Sequence, residues 1–129
     1  MDTEQNRFTR VVLAQKLEEP MQFEILKDGR VLFAERKGNL KLYSPTTGKV
    51  TVVAEIPVST KYKSFKGVVT EAEDGLQGVI LDPNYDKNHW IYLYYSQVGS
   101  EAVKVVARYK WLGDKLIESS KKVMLKVAV

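Results

Sequence analysis

Apolar and polar residues alternate in short runs along most of this chain, the period of strands with one buried face. Phe8–Gln15, Met21–Leu26, Arg30–Glu35, Leu40–Tyr43 and Val50–Ile56 read as strands, followed by Leu76–Leu81, His89–Ser96, Ala102–Trp111 and Lys122–Val127. Turn-forming residues separate them. Lys27-Asp28-Gly29 is a tight hairpin turn, and Lys37-Gly38-Asn39 and Ser44-Pro45-Thr46-Thr47-Gly48-Lys49 lead into the next two strands. Later connections are Asp82–Asn88, Gln97–Glu101 and Leu112-Gly113-Asp114-Lys115. In the run after His89, Trp90, Tyr92 and Tyr94 point one way and Ile91, Leu93 and Tyr95 the other, so that strand expects cover on both faces.

The order of strands and turns occurs twice. Met21-Gln22-Phe23-Glu24-Ile25-Leu26 returns as Leu76-Gln77-Gly78-Val79-Ile80-Leu81, each followed by the same plan. A repeat of this length made of short antiparallel strands is the signature of β-propeller blades. The expected fold is therefore all-β, one partial propeller domain over residues 1–129. It comprises an extra outer strand at 8–15, a first four-stranded blade at 21–56, an inter-blade loop at 57–75 and a second four-stranded blade at 76–129.

Composition changes this picture little. The chain has 129 residues, 44% hydrophobic and 28% charged, which suits a packed domain rather than a disordered segment. Its net charge of +4 comes from lysines scattered between apolar residues, among them Lys104, Lys110, Lys115 and Lys121. These form a solvated strand face without the basic, aromatic-interleaved stripe that nucleic acid requires. The absence of cysteine removes disulfides, thiolate catalysis and cysteine-ligated metals. No apolar run approaches the roughly 18 residues that span a bilayer, and the polar stretch Met1–Arg7 has no signal-peptide core behind it.

Candidate chemistry is sparse. Residues 57–75 form the one long connection, and it ends in the acidic cluster Glu71-Ala72-Glu73-Asp74-Gly75, which reads either as a functional loop or as a solvated turn. His89 is the sole histidine, so any triad or histidine-ligated zinc would be built around it, and no serine stands at nucleophile-elbow spacing. Asp82-Pro83-Asn84-Tyr85-Asp86-Lys87-Asn88 begins like a calcium loop. It carries Lys87 and Leu93 where the sixth-place glycine and twelfth-place glutamate belong, and reads instead as a turn held by Asp and Asn side chains. Trp90, Trp111 and the tyrosines read as packing between sheets.

The run from Glu73-Asp74-Gly75-Leu76-Gln77-Gly78-Val79-Ile80-Leu81-Asp82-Pro83 through His89-Trp90-Ile91-Tyr92-Leu93-Tyr94-Tyr95-Ser96, with Asp28-Gly29-Arg30 through Gly38-Asn39-Leu40 upstream, resembles the glucose/sorbosone dehydrogenase family. These are soluble quinoprotein sugar dehydrogenases that use pyrroloquinoline quinone. The resemblance covers the chain from Phe8 onward and implies the N-terminal third of a six-bladed propeller, with 8–15 completing its last blade. It also implies a periplasmic or secreted parent that oxidises a sugar or polyol. The family's sugar-contacting glutamine matches Glu73, which keeps a hydrogen-bond acceptor, loses the amide donor and adds a charge when ionised. By the same resemblance the catalytic histidine lies in the loop after the second blade, beyond Val129. The quinone and calcium ligands belong to later blades, so no residue here is assigned a catalytic, cofactor or metal role, and the chain alone is expected to be inactive. The alternative is a propeller module that binds a carbohydrate or protein without chemistry. With two blades each apolar on both faces, self-association is also expected, as a trimer completing six blades or as a two-fold dimer.

Overall fold

The computed structural model describes residues 8–63, 67, 69–71, 74–99 and 102–128. Two antiparallel meanders of four strands stack face to face. The first is β1 (Pro20–Ile25), β2 (Val31–Glu35), β3 (Asn39–Ser44) and β4 (Lys49–Glu55), in that spatial order. A small hairpin of β5 (Lys61–Lys63) and β6 (Val69–Glu71) follows. The second meander is β7 (Leu76–Leu81), β8 (Trp90–Ser96), β9 (Val103–Leu112) and β10 (Lys115–Ala128), with the single-turn helix α1 (Tyr85–Asn88) between β7 and β8. Both four-stranded sheets stand where the alternation places them.

The core lies between the sheets. Leu32, Ala34, Leu40 and Leu42 of the first meet Val79, Ile91, Leu93, Tyr95, Val105, Ala107, Tyr109 and Trp111 of the second, all in one buried cluster. Successive residues of a strand face opposite ways, so this single set accounts for the alternation in β2, β3, β8 and β9. Burial of this apolar surface is the main force holding the sheets together.

The strand register shifts the internal repeat by one residue. A bulge lies between Pro20 and Gln22 in β1 and another between Leu76 and Gly78 in β7. Phe23 pairs with Phe33, and Val79 pairs with Leu93. Pro20 is thus the counterpart of Leu76 and Phe23 that of Val79, not of Gly78 as the letter match suggests. Phe23 lies on the side of its sheet away from the second sheet and is 61% exposed, whereas Val79 is fully buried against the first.

Residues 8–15, expected as the outer strand of the ring's last blade and of neither blade in this chain, form no strand in this chain's sheets, and two further expectations change. The segment 11–17 instead crosses the outer face of the first sheet, where only side chains are on offer, and encloses with Phe23, Phe33 and Tyr43 an apolar groove of about 540 Å³. A strand needs a sheet edge with free backbone groups, which a sheet face does not supply. The inter-blade connection contains the β5–β6 hairpin, too short for its periodicity to be read. The last strand begins at Lys115, directly after the Gly113 turn, and irregularities between Ile117 and Lys122 and between Val123 and Leu125 break its alternation.

Polar contacts pin the N-terminal arm. Glu35 is 1% exposed, and its carboxylate accepts hydrogen bonds from the Glu18 backbone N–H at 2.8 Å and from Lys41 Nζ at 2.8 Å. Burial alone would raise its pKa; the Lys41 ammonium and the Glu18 N–H overcome that and hold it below the ordinary glutamate value. The turn Arg36-Lys37-Gly38 joins the two sheets. The Leu76 N–H donates to the Arg36 carbonyl at 2.8 Å, and the Ile56 N–H donates to the Gly38 carbonyl at 2.8 Å. Gly75, at φ +103°, sits so close that a Cβ there would lie 2.1 Å from the Arg36 carbonyl oxygen.

Two outcomes are expected. Gly75→Ala should destabilise the protein by about 3 kcal/mol or more in urea denaturation, because backbone and not a movable side chain blocks the added carbon. Since Glu35 has a depressed folded-state pKa, its stabilisation is complete above the ordinary glutamate value and is lost as pH falls through the folded one. Glu35→Gln should therefore cost about 2–3 kcal/mol at neutral pH and flatten the loss of stability as pH falls below the ordinary glutamate value, read from urea midpoints across pH.

Candidate functional site

The ends of the sheets differ in character. At the loop end stand the Arg36-Lys37-Gly38 turn, Asp74 and Gly75 before β7, and the described residues that follow β8 and precede β9. At the hairpin end stand the tight turns after β1, β3 and β9 and the segment 82–89. Glu73, the expected sugar-contacting residue, lies outside the described residues. Its neighbour Asp74 is described and anchors the approach to β7.

Lys104 organises this end. Its Nζ donates to Asp74 Oδ1 at 2.6 Å, Gln77 Oε1 at 2.9 Å and Ser96 Oγ at 2.9 Å. The ammonium thus spends its three donors on three acceptors drawn from the loop end, the β7 bulge and the end of β8. The Lys104 side chain is 14% exposed and that of Asp74 33%, so this pair is shielded relative to an ordinary surface bridge. The β7 bulge also lets Gln22 of the first sheet reach across, its Oε1 accepting the Val79 N–H at 3.0 Å. The sequence pattern puts Lys104 on a solvated face. A lone lysine between valines gives no sign that an acid some thirty residues earlier will meet it.

His89 lies at the hairpin end, on the other side of the molecule from the acidic loop. It closes α1 with φ 58° and ψ 25°, and its N–H donates to the Tyr85 carbonyl at 2.8 Å. Its ring meets the edge of Tyr85 with centroids 5.4 Å apart. The turn reading of 82–88 holds in detail. Asp82 Oδ1 accepts the Asn84 N–H at 2.8 Å and Asn88 Nδ2 at 3.0 Å, while Asp82 Oδ2 accepts the Tyr92 hydroxyl at 2.7 Å. The bonds from Asn88, the Asn84 N–H and Tyr92 hold its pKa below the ordinary aspartate value. Asp82 is therefore committed to the turn, and among the described residues no group of three or more His, Cys, Asp or Glu side chains converges to hold a metal ion.

Stacked four-stranded meanders, each innermost strand beside the next, define two successive blades of a β-propeller. A profile of the Glucose / Sorbosone dehydrogenase family matches residues 17–128, and the chain belongs to that family. Among solved structures it is similar to an oxidoreductase (glucose dehydrogenase) from Thermus thermophilus, at 26% identity and TM-score 0.70, over 87% of this chain and 29% of that one. The PQQ-bound aldose sugar dehydrogenase of Streptomyces coelicolor matches at 22% identity and TM-score 0.70, over 89% of this chain and 32% of that one. The soluble aldose sugar dehydrogenase of Escherichia coli in its apo-form matches at 23% identity and TM-score 0.72, over 90% of this chain and 32% of that one. The chain thus spans less than a third of the length of these proteins. No curated protein matches it.

The described residues at the loop end do not by themselves fit a quinone such as the PQQ bound by the Streptomyces coelicolor protein. A tricarboxylate quinone needs unneutralised cations, and here Arg36 is paired with Glu19, Lys37 with Glu18, Lys41 with Glu35 and Lys104 with Asp74. Among the described residues no helix is long and apolar enough to cross a membrane.

Lys104→Met should leave three acceptors without their shared donor and lower stability by about 2–3 kcal/mol in urea denaturation, with the larger part of the loss absent in Lys104→Arg.

Proposed function

We propose that this chain supplies the first two blades of a six-bladed quinoprotein sugar dehydrogenase, which moves a hydride from a sugar or polyol to pyrroloquinoline quinone. The family match over residues 17–128 carries this reading. In it, the loop end faces the sugar and Glu73 stands where the family places a glutamine. The role of this chain's own residues is positional. Lys104 holds Asp74, Gln77 and Ser96 in one arrangement, fixing where the loop carrying Glu73 enters β7. The quinone would supply the hydride acceptor, and the residues that would hold it and its calcium, together with the proton-accepting histidine, come from other blades. A periplasmic location belongs to the same reading.

The open sheet faces support a proposal on assembly. Phe23, Ile25 and Val52 on the outer face of the first sheet are 61%, 62% and 52% exposed, and Ile80 and Tyr94 on the outer face of the second are 52% and 40% exposed. Blades of the same ring cover such faces in a closed propeller, and copies of the chain are the substitute when it stands alone.

A chimera tests the enzymatic reading. With residues 17–128 replacing the matched segment of the Escherichia coli aldose sugar dehydrogenase, sugar-dependent dye reduction with quinone and calcium should persist, and Glu73→Gln should lower the KM for glucose about tenfold by restoring an amide donor. A folded, quinone-binding chimera without dye reduction would point to the alternative, a binding propeller that lacks the chemistry. The isolated chain should reduce no dye under the same conditions and should scatter light as an oligomer at micromolar concentration. Turnover by the isolated chain, or a folded monomer, would contradict the respective proposal.

A further inference from the structure

The hairpin end carries a cleft that the sugar-oxidation reading does not use. It has a volume of about 490 Å³, within the roughly 300–1,000 Å³ of small-molecule sites, and lies at the junction of the blades. The turn after β1 supplies Lys27, Asp28 and Arg30, and the segment after β7 supplies Tyr85, Asp86 and His89. Leu26, Leu81 and Pro83 form its apolar wall. Six-residue β7, about 20 Å of extended chain, separates it from the acidic loop.

The charges that line it select the ligand. Lys27 pairs with Asp86 across the two blades, and Arg30 Nε pairs with Asp28 Oδ2 at 2.7 Å. Asp82, also on the wall, already accepts from three donors. The cations Lys27 and Arg30 are outnumbered by the carboxylates Asp28, Asp82 and Asp86, so the lining carries no excess positive charge to hold a phosphate or carboxylate, and no metal-binding group of three forms among the described residues. The cleft instead sets hydrogen-bond donors and acceptors beside an apolar wall, which suits a neutral polyhydroxylated molecule.

Aromatic and imidazole groups complete the arrangement. Among the described residues the imidazole nitrogens of His89 have no hydrogen-bond partner, so both a donor and an acceptor are available. Tyr85 is fixed by its hydroxyl, which donates to the Trp111 carbonyl at 3.2 Å, and by the Trp111 ring at 5.7 Å. Arg30 lies over that same ring at 5.7 Å. Trp111 is fully buried, and its indole N–H has no partner among the described residues, an unfilled donor beside two residues that line the cleft.

We propose that this cleft is a second, non-catalytic carbohydrate site that takes a neutral sugar unit at the blade junction, with His89, Arg30 and Asp86 bonding its hydroxyls. Because the ligand touches both blades, its binding also tightens their junction. The proposal stands apart from the quinone reading, since it needs no residue of the loop end.

The sequence has one histidine and two tryptophans, so the His89 Cε1–H and the two indole N–H signals report without ambiguity in proton NMR of the 129-residue chain. Maltose titrated to 50 mM (roughly ten times a Kd on the order of 5 mM) at fixed pH should shift the His89 signal saturably. Asparagine tolerates the left-handed backbone at position 89, so His89→Asn should fold. Read at the Trp111 indole, that variant should raise the maltose Kd at least about tenfold. Inorganic phosphate at the same concentration should leave His89 unshifted. No saturable shift of His89 with maltose, an equal response to phosphate, or an unchanged Kd in folded His89→Asn would overturn the proposal. Maltose shifts confined to Asp74, Gly75 and Ser96 would overturn it while supporting a sugar site at the loop end.

Discussion

Everything in this molecule depends on how closely the backbone of one blade approaches the next at the Arg36-Lys37-Gly38 turn. That turn takes a hydrogen bond from Leu76 of the second blade at the Arg36 carbonyl and one from Ile56 of the first at the Gly38 carbonyl, and the Arg36 N–H donates to Glu19 of the N-terminal arm at 3.0 Å. Glycines at 38 and 75 make the approach possible. A Cβ at Gly38 would lie 2.3 Å from the Ile56 carbonyl oxygen, tighter than real contacts allow. With that junction fixed, the bulges in β1 and β7 fall side by side, and the Gln22 side chain can satisfy the Val79 N–H.

The junction explains why the two ends of the blade pair serve different ends. At the loop end, the shielded lysines are matched with acids, Lys41 with Glu35 and Lys104 with Asp74, and the second pair fixes the path of the chain into β7. At the hairpin end a cleft opens beside the segment 82–89, and the charges there are exposed, with Lys27 86% and Asp86 58% open to solvent. The first arrangement serves precise placement of a neighbouring loop. The second leaves a cleft with polar groups that a ligand can reach.

Much of the fold was legible because strands buried on one face alternate, and the hairpin turns carry their own chemistry in Asp28-Gly29 and Leu112-Gly113. The turn held by Asp82 was legible for the same reason, since Asp and Asn bond to backbone two residues on. What escaped the sequence was long-range or irregular. The bulges displaced the repeat by one position, which exchanges the buried and exposed faces in any letter-by-letter comparison. Residues 8–15 alternate like a strand, and the sheet edge expected for them belongs to a blade outside this chain. Lys104 and the cleft at Tyr85 and His89 are made by residues from distant strands, and no local spacing announces them. Glu73 was legible only through family resemblance.

The central claim is that the blades fold as one unit through the Arg36 to Leu76 contact. Native-state hydrogen exchange of the Leu76 N–H tests this most directly. The account predicts that it exchanges only with global unfolding, with the same free energy as the amides of the central strand β8. Exchange of Leu76 through a low-energy opening, while the β8 amides stay protected, would contradict it.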